Sequence, residues 1–234
     1  MNPAILYEDN HLLVVDKPAG MPTQGARQGQ PSLVAWARNY LKRKYRKPGN
    51  VYVGVVSRLD SPVSGVVLLA RTSKAARRLN QQFRDRAVRK LYWAVVEGRI
   101  EPERGEWIDW IRRDQRSRRV RIVAVGSPGA SEARMSYRRL RLLSGKSLVE
   151  VELHTGRKHQ IRVQLAHRGW PIVGDRNYGS RTDFGPGIAL HSHRLLVIHP
   201  VKGDTLDLLA DVPDSWAPLG VPPGRCRKTG LGRA

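Results

Sequence analysis

The feature of this sequence that most constrains its fold is the shortness of its apolar runs. These runs hold about four to six residues and stand between Gly, Pro and polar residues, as at 12–15, 51–56, 66–69 and 91–96. Runs of this kind predict strands, and none reaches the ~18 to 20 apolar residues that a membrane-spanning helix needs. Strands outnumber the predicted helices and do not alternate with them regularly, so the pattern predicts an α+β fold.

Three helices and a group of middle strands complete the predicted elements. Helices are predicted over 32 to about 47, 73 to about 86 and 155 to about 167, the first two with apolar residues at helical spacing. Further strands are predicted at 5–7, 106–112, 118–124, 133–142, 147–153, 189–198 and 205–209.

Charge is the strongest bulk signal of the chain. Its 234 residues include 42 Lys and Arg against 20 Asp and Glu, a formal net charge of +22. Such a surplus indicates a polyanionic partner, and nucleic acid is favoured over an anionic membrane or a merely soluble basic protein. The first helix carries Lys42, Lys44 and Lys47 near its end, more cations than the helix dipole alone would use. We therefore expect these three lysines to contact phosphates.

Cysteine and histidine give weaker signals. The only cysteine, Cys226, cannot form an internal disulfide, which favours a reducing compartment. The first residues have neither the basic nor the apolar part of a secretory signal, so a cytoplasmic location is expected. Histidines at 154, 159, 167, 191 and 193 lack the Cys or Glu partners of a metal site, and we predict no metal.

Asp60 is the most informative single residue. It lies in the polar segment 57–65, between two predicted core strands, and a loop mounted in this way often carries functional groups. Residue type alone leaves three roles open: a structural ion pair, a general base or a nucleophile. Tyr92 on a strand and Arg162 on a helix likewise fit an ordinary core-edge aromatic and a solvated cation.

Several motifs in order resemble the RluA family of pseudouridine synthases. They are Ser57-Arg58-Leu59-Asp60-Ser61-Pro62-Val63-Ser64-Gly65, the Lys17-Pro18-Ala19-Gly20 turn, Lys90-Leu91-Tyr92-Trp93-Ala94, Thr155-Gly156-Arg157-Lys158-His159-Gln160-Ile161-Arg162, Gly174-Asp175 with Tyr178-Gly179, and Leu190-His191. The resemblance covers about residues 4–213 and is more specific than any one motif. It departs from the family at Ser57, where His is usual, and at Val63, where Thr is usual. It implies a mixed, mainly antiparallel sheet with flanking helices and a central RNA-binding cleft.

The resemblance also implies a role for each active-site residue. Asp60 would be the nucleophile, at either C1′ of the sugar or C6 of the base. Arg162 would pair with Asp60 and keep it ionised. Tyr92 would stack on the target base and assist proton removal at C5, with Leu190 packed on the other side. Arg58 would fill the gap left when the uridine is flipped out.

The implied partner is structured ribosomal or transfer RNA, bound without cofactor or obligate protein partner by a monomer. Arg157, Lys158 and His159 are expected to contact this RNA. The catalytic domain is expected to span 1–220, and the basic tail 221–234 to be disordered until it meets RNA. The alternative is a non-catalytic RNA-binding protein with the same fold. The zinc signature of a nucleobase deaminase is missing from the sequence.

Overall fold

A computed structural model describes residues 2–25, 31–114 and 119–222, and its strands and few helices confirm the α+β prediction. The strands are β1 (Ala4–Glu8), β2 (Leu12–Lys17), β3 (Gly54–Val55), β4 (Ser64–Ala70), β5 (Arg89–Glu97), β6 (Arg104–Arg113), β7 (Val120–Val123), β8 (Ser131–Leu143), β9 (Lys146–Leu153), β10 (Leu190–Ile198) and β11 (Thr205–Leu209). The helices are α1 (Leu33–Lys44), α2 (Ser73–Arg84) and α3 (Gln160–His167), with short 3-10 helices at Arg176–Tyr178 and Asp214–Leu219.

The described strands form one mixed sheet in the order β1-β2-β4-β10-β5-β9-β8-β6-β7, with β11 beside β10 and β3 beside β4. Every pairing of these strands is antiparallel except that of β4 with β10. At that parallel contact Gly65 lies opposite Ser192, and a Cβ on Gly65 would stand 2.3 Å from the Ser192 carbonyl oxygen. A glycine is required here because the two backbones approach so closely.

The central strands are buried on both faces. In β2, Leu13 and Val15 join one apolar cluster, while Leu12 and Val14 join the other. Helix α1 covers the first cluster and α2 covers the second. This explains why these strands read as continuous apolar runs and not as an apolar–polar alternation.

Two predicted helices are shorter than expected. Helix α1 ends at Lys44 because Arg46 takes a left-handed conformation, with φ of 47°. Helix α3 begins at Gln160, not at residue 155, because His159 is left-handed with φ of 53°. The Gln160 Oε1 atom instead accepts hydrogen bonds from Thr155 Oγ1 and the Arg157 N–H, which closes a turn before the helix.

The predicted strand at 51–56 is wrong in length. Only Gly54–Val55 pairs with β4, although Val51 and Val53 are buried in the core. Burial rather than strand pairing therefore explains the apolar character of this segment.

The folded part reaches at least to Val221. This residue was expected to begin the basic tail, but its side chain is buried in the core near Trp216. The rest of the expected tail, 223–234, lies outside the described residues. No helix of the described residues is long and apolar enough to cross a membrane.

Candidate active site

A cleft of about 930 Å³ opens where the loop after β3, the strands β5 and β10, and the start of α3 meet. Asp60 lies in this cleft with 29% of its side chain exposed, so a substrate can reach it. Other predicted site residues also line the cleft: Arg58, Tyr92, Arg157, Lys158, His159, Arg162 and Leu190.

The loop that carries Asp60 is held by neighbours on both sides. Thr23 Oγ1 donates to the Leu59 carbonyl at 2.8 Å and accepts the Leu59 N–H at 3.2 Å. The Ser61 hydroxyl donates to the Gly20 carbonyl at 2.8 Å, and the Gly20 N–H donates back to the Ser61 carbonyl at 2.8 Å. These bonds fix the loop before any substrate binds.

Lys17 also contacts the loop that carries Asp60. Its side chain is fully buried, and Nζ donates to the carbonyls of Pro18, Met21 and Ser61 at 2.9, 2.7 and 3.2 Å. Burial lowers the pKa of Lys17 to about 7, against the attraction of Asp60 and Asp16. The three bonds use all three N–H groups of the charged ammonium, so they favour the protonated form.

Arg162 connects Asp60 to the interior. Its Nη1 atom donates to Asp60 Oδ2 at 3.1 Å. On its other edge, Nε and Nη2 donate to Asp175 Oδ2 and Oδ1 at 2.6 and 2.9 Å, a bidentate pair buried on both sides. Burial alone would lower the pKa of Arg162, but Asp175 and Asp60 outweigh it and raise that pKa. The guanidinium is therefore a fixed positive charge beside Asp60.

Tyr92 and Leu190 stand on adjacent strands at the cleft. Tyr92 lies in β5 and is partly buried, while Leu190 begins β10 and is 3% exposed. Burial raises the pKa of Tyr92 to about 12, and the charge of Asp60 acts in the same direction. The phenol is thus neutral at physiological pH.

Lys42 and Lys44 of α1, and Lys47 just beyond its end, are placed differently from the other predicted RNA contacts. Lys42, Lys44 and Lys47 are exposed and do not line the cleft. Lys44 Nζ donates to Glu8 Oε2 at 2.7 Å, and Glu8 also accepts from Tyr40. Lys44 therefore has a partner within the fold.

The histidines near the site do not gather into a metal centre. Among the described residues no three His, Cys, Asp or Glu side chains lie close enough to hold an ion. His191 is buried, with Nδ1 2.9 Å from Ser64 Oγ and Nε2 3.2 Å from the Ala210 carbonyl, so both of its nitrogens have partners.

Comparison with known proteins settles which family has this site. The family model described as RNA pseudouridylate synthase matches residues 11–167. The dual-specificity RNA pseudouridine synthase RluA of Haemophilus influenzae is 32% identical over 209 residues, covering 86% of this chain and 90% of its own. The chain belongs to the RNA pseudouridine synthase family. It is therefore an isomerase that acts on RNA, and the expected resemblance to the RluA family is confirmed.

Further relatives agree with this pseudouridine synthase assignment. Ribosomal large subunit pseudouridine synthase D of Nitrosomonas europaea is 34% identical over 228 residues, which span 92% of this chain and 63% of that protein. The solved structure of human RNA Pseudouridylate Synthase Domain Containing 4 superposes with a TM-score of 0.77 at 25% identity and covers 94% of each chain. The fold expected from the resemblance is thus confirmed.

The two departures from the family motif have structural roles in this synthase. Ser57 Oγ accepts the Leu68 backbone N–H at 3.1 Å. Val63 is 3% exposed and packs into the core, while its N–H donates to the Asp60 carbonyl at 3.0 Å. Both residues therefore support the Asp60 loop.

Sequence reasoning gave no role to four residues that shape this site: Lys17, Lys90, Asp175 and Tyr178. All four lie inside the family motifs described above, so their place in those motifs could have indicated a role at the site. Lys90 lines the cleft, and its Nζ lies near Gly156, 3.9 Å from where a Cβ on that glycine would stand. Burial lowers the pKa of Lys90, as does the charge of Arg86.

Proposed function

We propose that this synthase isomerises uridines in structured ribosomal or transfer RNA, with Asp60 as nucleophile and the target uridine flipped into the cleft. One observation carries the assignment. Asp60 is an accessible carboxylate, and one of its oxygens accepts a hydrogen bond from Arg162. Arg162 in turn forms two hydrogen bonds with the buried Asp175. Such an arrangement preorganises a nucleophile and leaves it open to substrate.

The reaction is an isomerisation and consumes no reagent. If Asp60 attacks C1′, its electron pair forms the C–O bond while the pair of the N1–C1′ bond leaves with the uracil. If it attacks C6, a C–O bond forms there, the π pair of the C5–C6 double bond moves onto C5 and its conjugated C4 carbonyl, and the pair of the N1–C1′ bond then leaves with N1. In both cases C5 bonds to C1′, the C5 hydrogen leaves as a proton, N1 gains a proton and Asp60 is regenerated.

The cleft walls suit a flipped base. Tyr92 and Leu190 offer an aromatic and an aliphatic surface close to Asp60, and RNA bases that leave a stack are commonly bound between such surfaces. Arg58 is exposed at the cleft, where it can occupy the gap left in the RNA. The side chain would recover part of the few kcal/mol that flipping costs.

The charge of the cleft suits an RNA backbone. Arg157, Lys158 and Lys90 line it, and no ion pair of the described residues neutralises any of them. Cations of this kind beside a site attract phosphates. The Nitrosomonas relative is named for the large ribosomal subunit, which favours ribosomal RNA as the first substrate to test.

The experiment follows tritium at C5. Total ribosomal and transfer RNA that lack the modification, labelled at C5 of uridine, should release tritium into water with no cleavage of the chain. Asp60→Asn should release none while RNA binding persists, because the affinity is spread over many Lys and Arg.

Two results would contradict the proposal. Comparable release by Asp60→Asn would remove Asp60 as nucleophile. No release by the unchanged protein from any of these RNAs would favour the non-catalytic alternative.

A further inference from the structure

His159 occupies an unusual place beside Asp60. Its Nε2 atom lies 3.5 Å from Asp60 Oδ2, the same oxygen that Arg162 Nη1 contacts at 3.1 Å. No hydrogen bond within the described parts of the chain reaches the other oxygen, Oδ1. The two carboxylate oxygens are therefore in different environments: Oδ2 contacts Arg162 and His159, whereas Oδ1 accepts no hydrogen bond from the described residues.

The hydroxyl of Tyr178 contacts the other ring nitrogen of His159, Nδ1. The Tyr178 hydroxyl accepts the Val120 N–H at 3.0 Å, and it stands 2.8 Å from His159 Nδ1. A hydroxyl has one hydrogen, and among the described residues His159 Nδ1 is the acceptor placed to receive it. When Nδ1 accepts this hydrogen, the neutral ring carries its own hydrogen on Nε2, the nitrogen that lies 3.5 Å from Asp60 Oδ2.

The surroundings of His159 favour this neutral ring. Burial lowers its pKa, Asp60 and Asp175 oppose this effect, and Arg162 and Lys158 reinforce it. The backbone of His159 is left-handed, with φ of 53°, a conformation that ordinary side chains seldom adopt. Helix α3 begins directly after this residue, and the His159 ring lies beside Asp60.

We propose that Tyr178 and His159 form a positioning pair that holds Asp60 Oδ2 and leaves Oδ1 as the attacking atom. This inference rests on Asp60 as the nucleophile. Oδ1 supplies the electron pair of the new C–O bond and recovers it when that bond breaks, while the His159 N–H and Arg162 remain on Oδ2. A contact of 3.5 Å in the free protein is long, but such contacts commonly shorten when substrate binds. His159 acts through Asp60 and does not itself transfer a proton.

The pair also revises the role expected for His159. The sequence suggested an RNA contact, which would change KM, whereas a positioning residue changes kcat. His159→Asn suits the test because Asn tolerates a left-handed backbone and its side chain is too short to reach Asp60. Tyr178→Phe removes only the hydroxyl and keeps the ring that stacks on Arg162, whose Cζ lies 4.9 Å from the ring centroid.

The experiment measures kcat and KM by tritium release for both variants and for the double variant. We expect His159→Asn to lower kcat about tenfold with KM nearly unchanged, and Tyr178→Phe to lower kcat by a smaller factor. The double variant should be no slower than His159→Asn alone, because Tyr178 acts through His159. Thermal melting of each variant shows whether the fold persists.

Three outcomes would overturn the inference. An unchanged kcat in His159→Asn removes the positioning role, and a raised KM alone returns His159 to RNA binding. Additive losses in the double variant would separate Tyr178 from His159. Asp60→Asn serves as the reference: if it is inactive while His159→Asn is normal, only the positioning pair fails and the nucleophile assignment stands.

Discussion

At the scale of single residues, the site depends on Asp175, a buried carboxylate that does not line the cleft. Asp175 holds Arg162 by two hydrogen bonds, and both side chains are almost fully buried. Removing one partner of a buried ion pair leaves an uncompensated charge, which costs about 3–5 kcal/mol. The position of Arg162 at Asp60 therefore depends on Asp175.

This dependence gives the first prediction. Asp175→Asn keeps the size of the side chain but removes its charge, and should lower the free energy of unfolding in urea denaturation by about 3–5 kcal/mol. It should also lower kcat, because Arg162 loses its anchor. Asp183→Asn is the matched control, since the Asp183–Arg176 pair is exposed on both sides and should matter little. Equal effects of the two substitutions would contradict the role given to Asp175.

Asp16 supports a prediction about pH. Burial raises the pKa of Asp16 to about 6, and the charge of Asp211 acts in the same direction. Since the folded protein prefers the protonated form, this contribution to stability is present below pH ~4 and is lost as the pH rises through about 6. Asp16→Asn removes the charge and keeps an oxygen for the Gly65 N–H.

The substitution should therefore stabilise the protein at pH 7.5 by on the order of 1–3 kcal/mol, from a shift of about two pKa units, and change it little at pH 4. Thermal melts of both proteins at the two pH values measure the difference. An equal gain in stability at pH 7.5 and at pH 4 would mean that the charge of Asp16 is not the cause of the gain.

At the scale of elements, tertiary contacts distinguish the lysines at the end of α1 and just beyond it. Lys44 is bound to Glu8, whereas Lys42 and Lys47 form no ion pair with the described residues. Glu8 also accepts from Tyr40 and Tyr45, so this carboxylate joins β1 to the end of α1. Lys44 is thus part of the connection between a strand and a helix.

The prediction for α1 concerns salt dependence. Replacing Lys42 and Lys47 by Ala should weaken RNA binding and lower the slope of log affinity against log salt by about 0.7–0.9 for each phosphate that is no longer neutralised. Lys44→Ala should change the slope less and the melting temperature more. Binding titrations from low to moderate salt measure the slopes. If the double variant keeps the slope of the unchanged protein, the end of α1 faces away from the RNA.

At the scale of the whole molecule, positive charge exceeds what the fold neutralises. The formal charge is +22, and many surface carboxylates already pair with arginines, as in Arg89–Glu152 and Arg194–Asp207. A net charge of this size destabilises the compact state by self-repulsion, so it favours a polyanionic partner such as RNA.

The last prediction is that activity survives metal removal. The isomerisation needs no redox agent or energy source, and the described residues offer no group of three metal ligands. Tritium release from prefolded RNA should be unchanged by EDTA. Loss of tritium release with rescue by zinc would contradict this prediction. Magnesium is added in a control reaction, because it restores RNA folding without acting at the protein.

The sequence alone determined the class of fold and predicted the residues at the centre of the candidate site. Short apolar runs predicted most strands because the length and residue type of such runs are local properties. Motif order placed Asp60, Tyr92 and Arg162 in one family pattern, and the cleft brings all three together. The last residue of α1 and the first residue of α3 were predicted wrongly, because the left-handed conformations of Arg46 and His159 leave no clear signal in the local sequence.

Only the tertiary structure decided which charges meet. Asp60 and Arg162 are 102 residues apart, and Lys44 and Glu8 are 36 apart. Asp175 is just 13 residues from Arg162, but its bidentate geometry depends on how the turn after α3 packs against β5. Spacing along a chain carries no record of such contacts, because they arise from the register of strands and the docking of helices. For this reason the sequence pattern predicted an RNA contact for Lys44, whereas in the fold Lys44 forms an ion pair with Glu8.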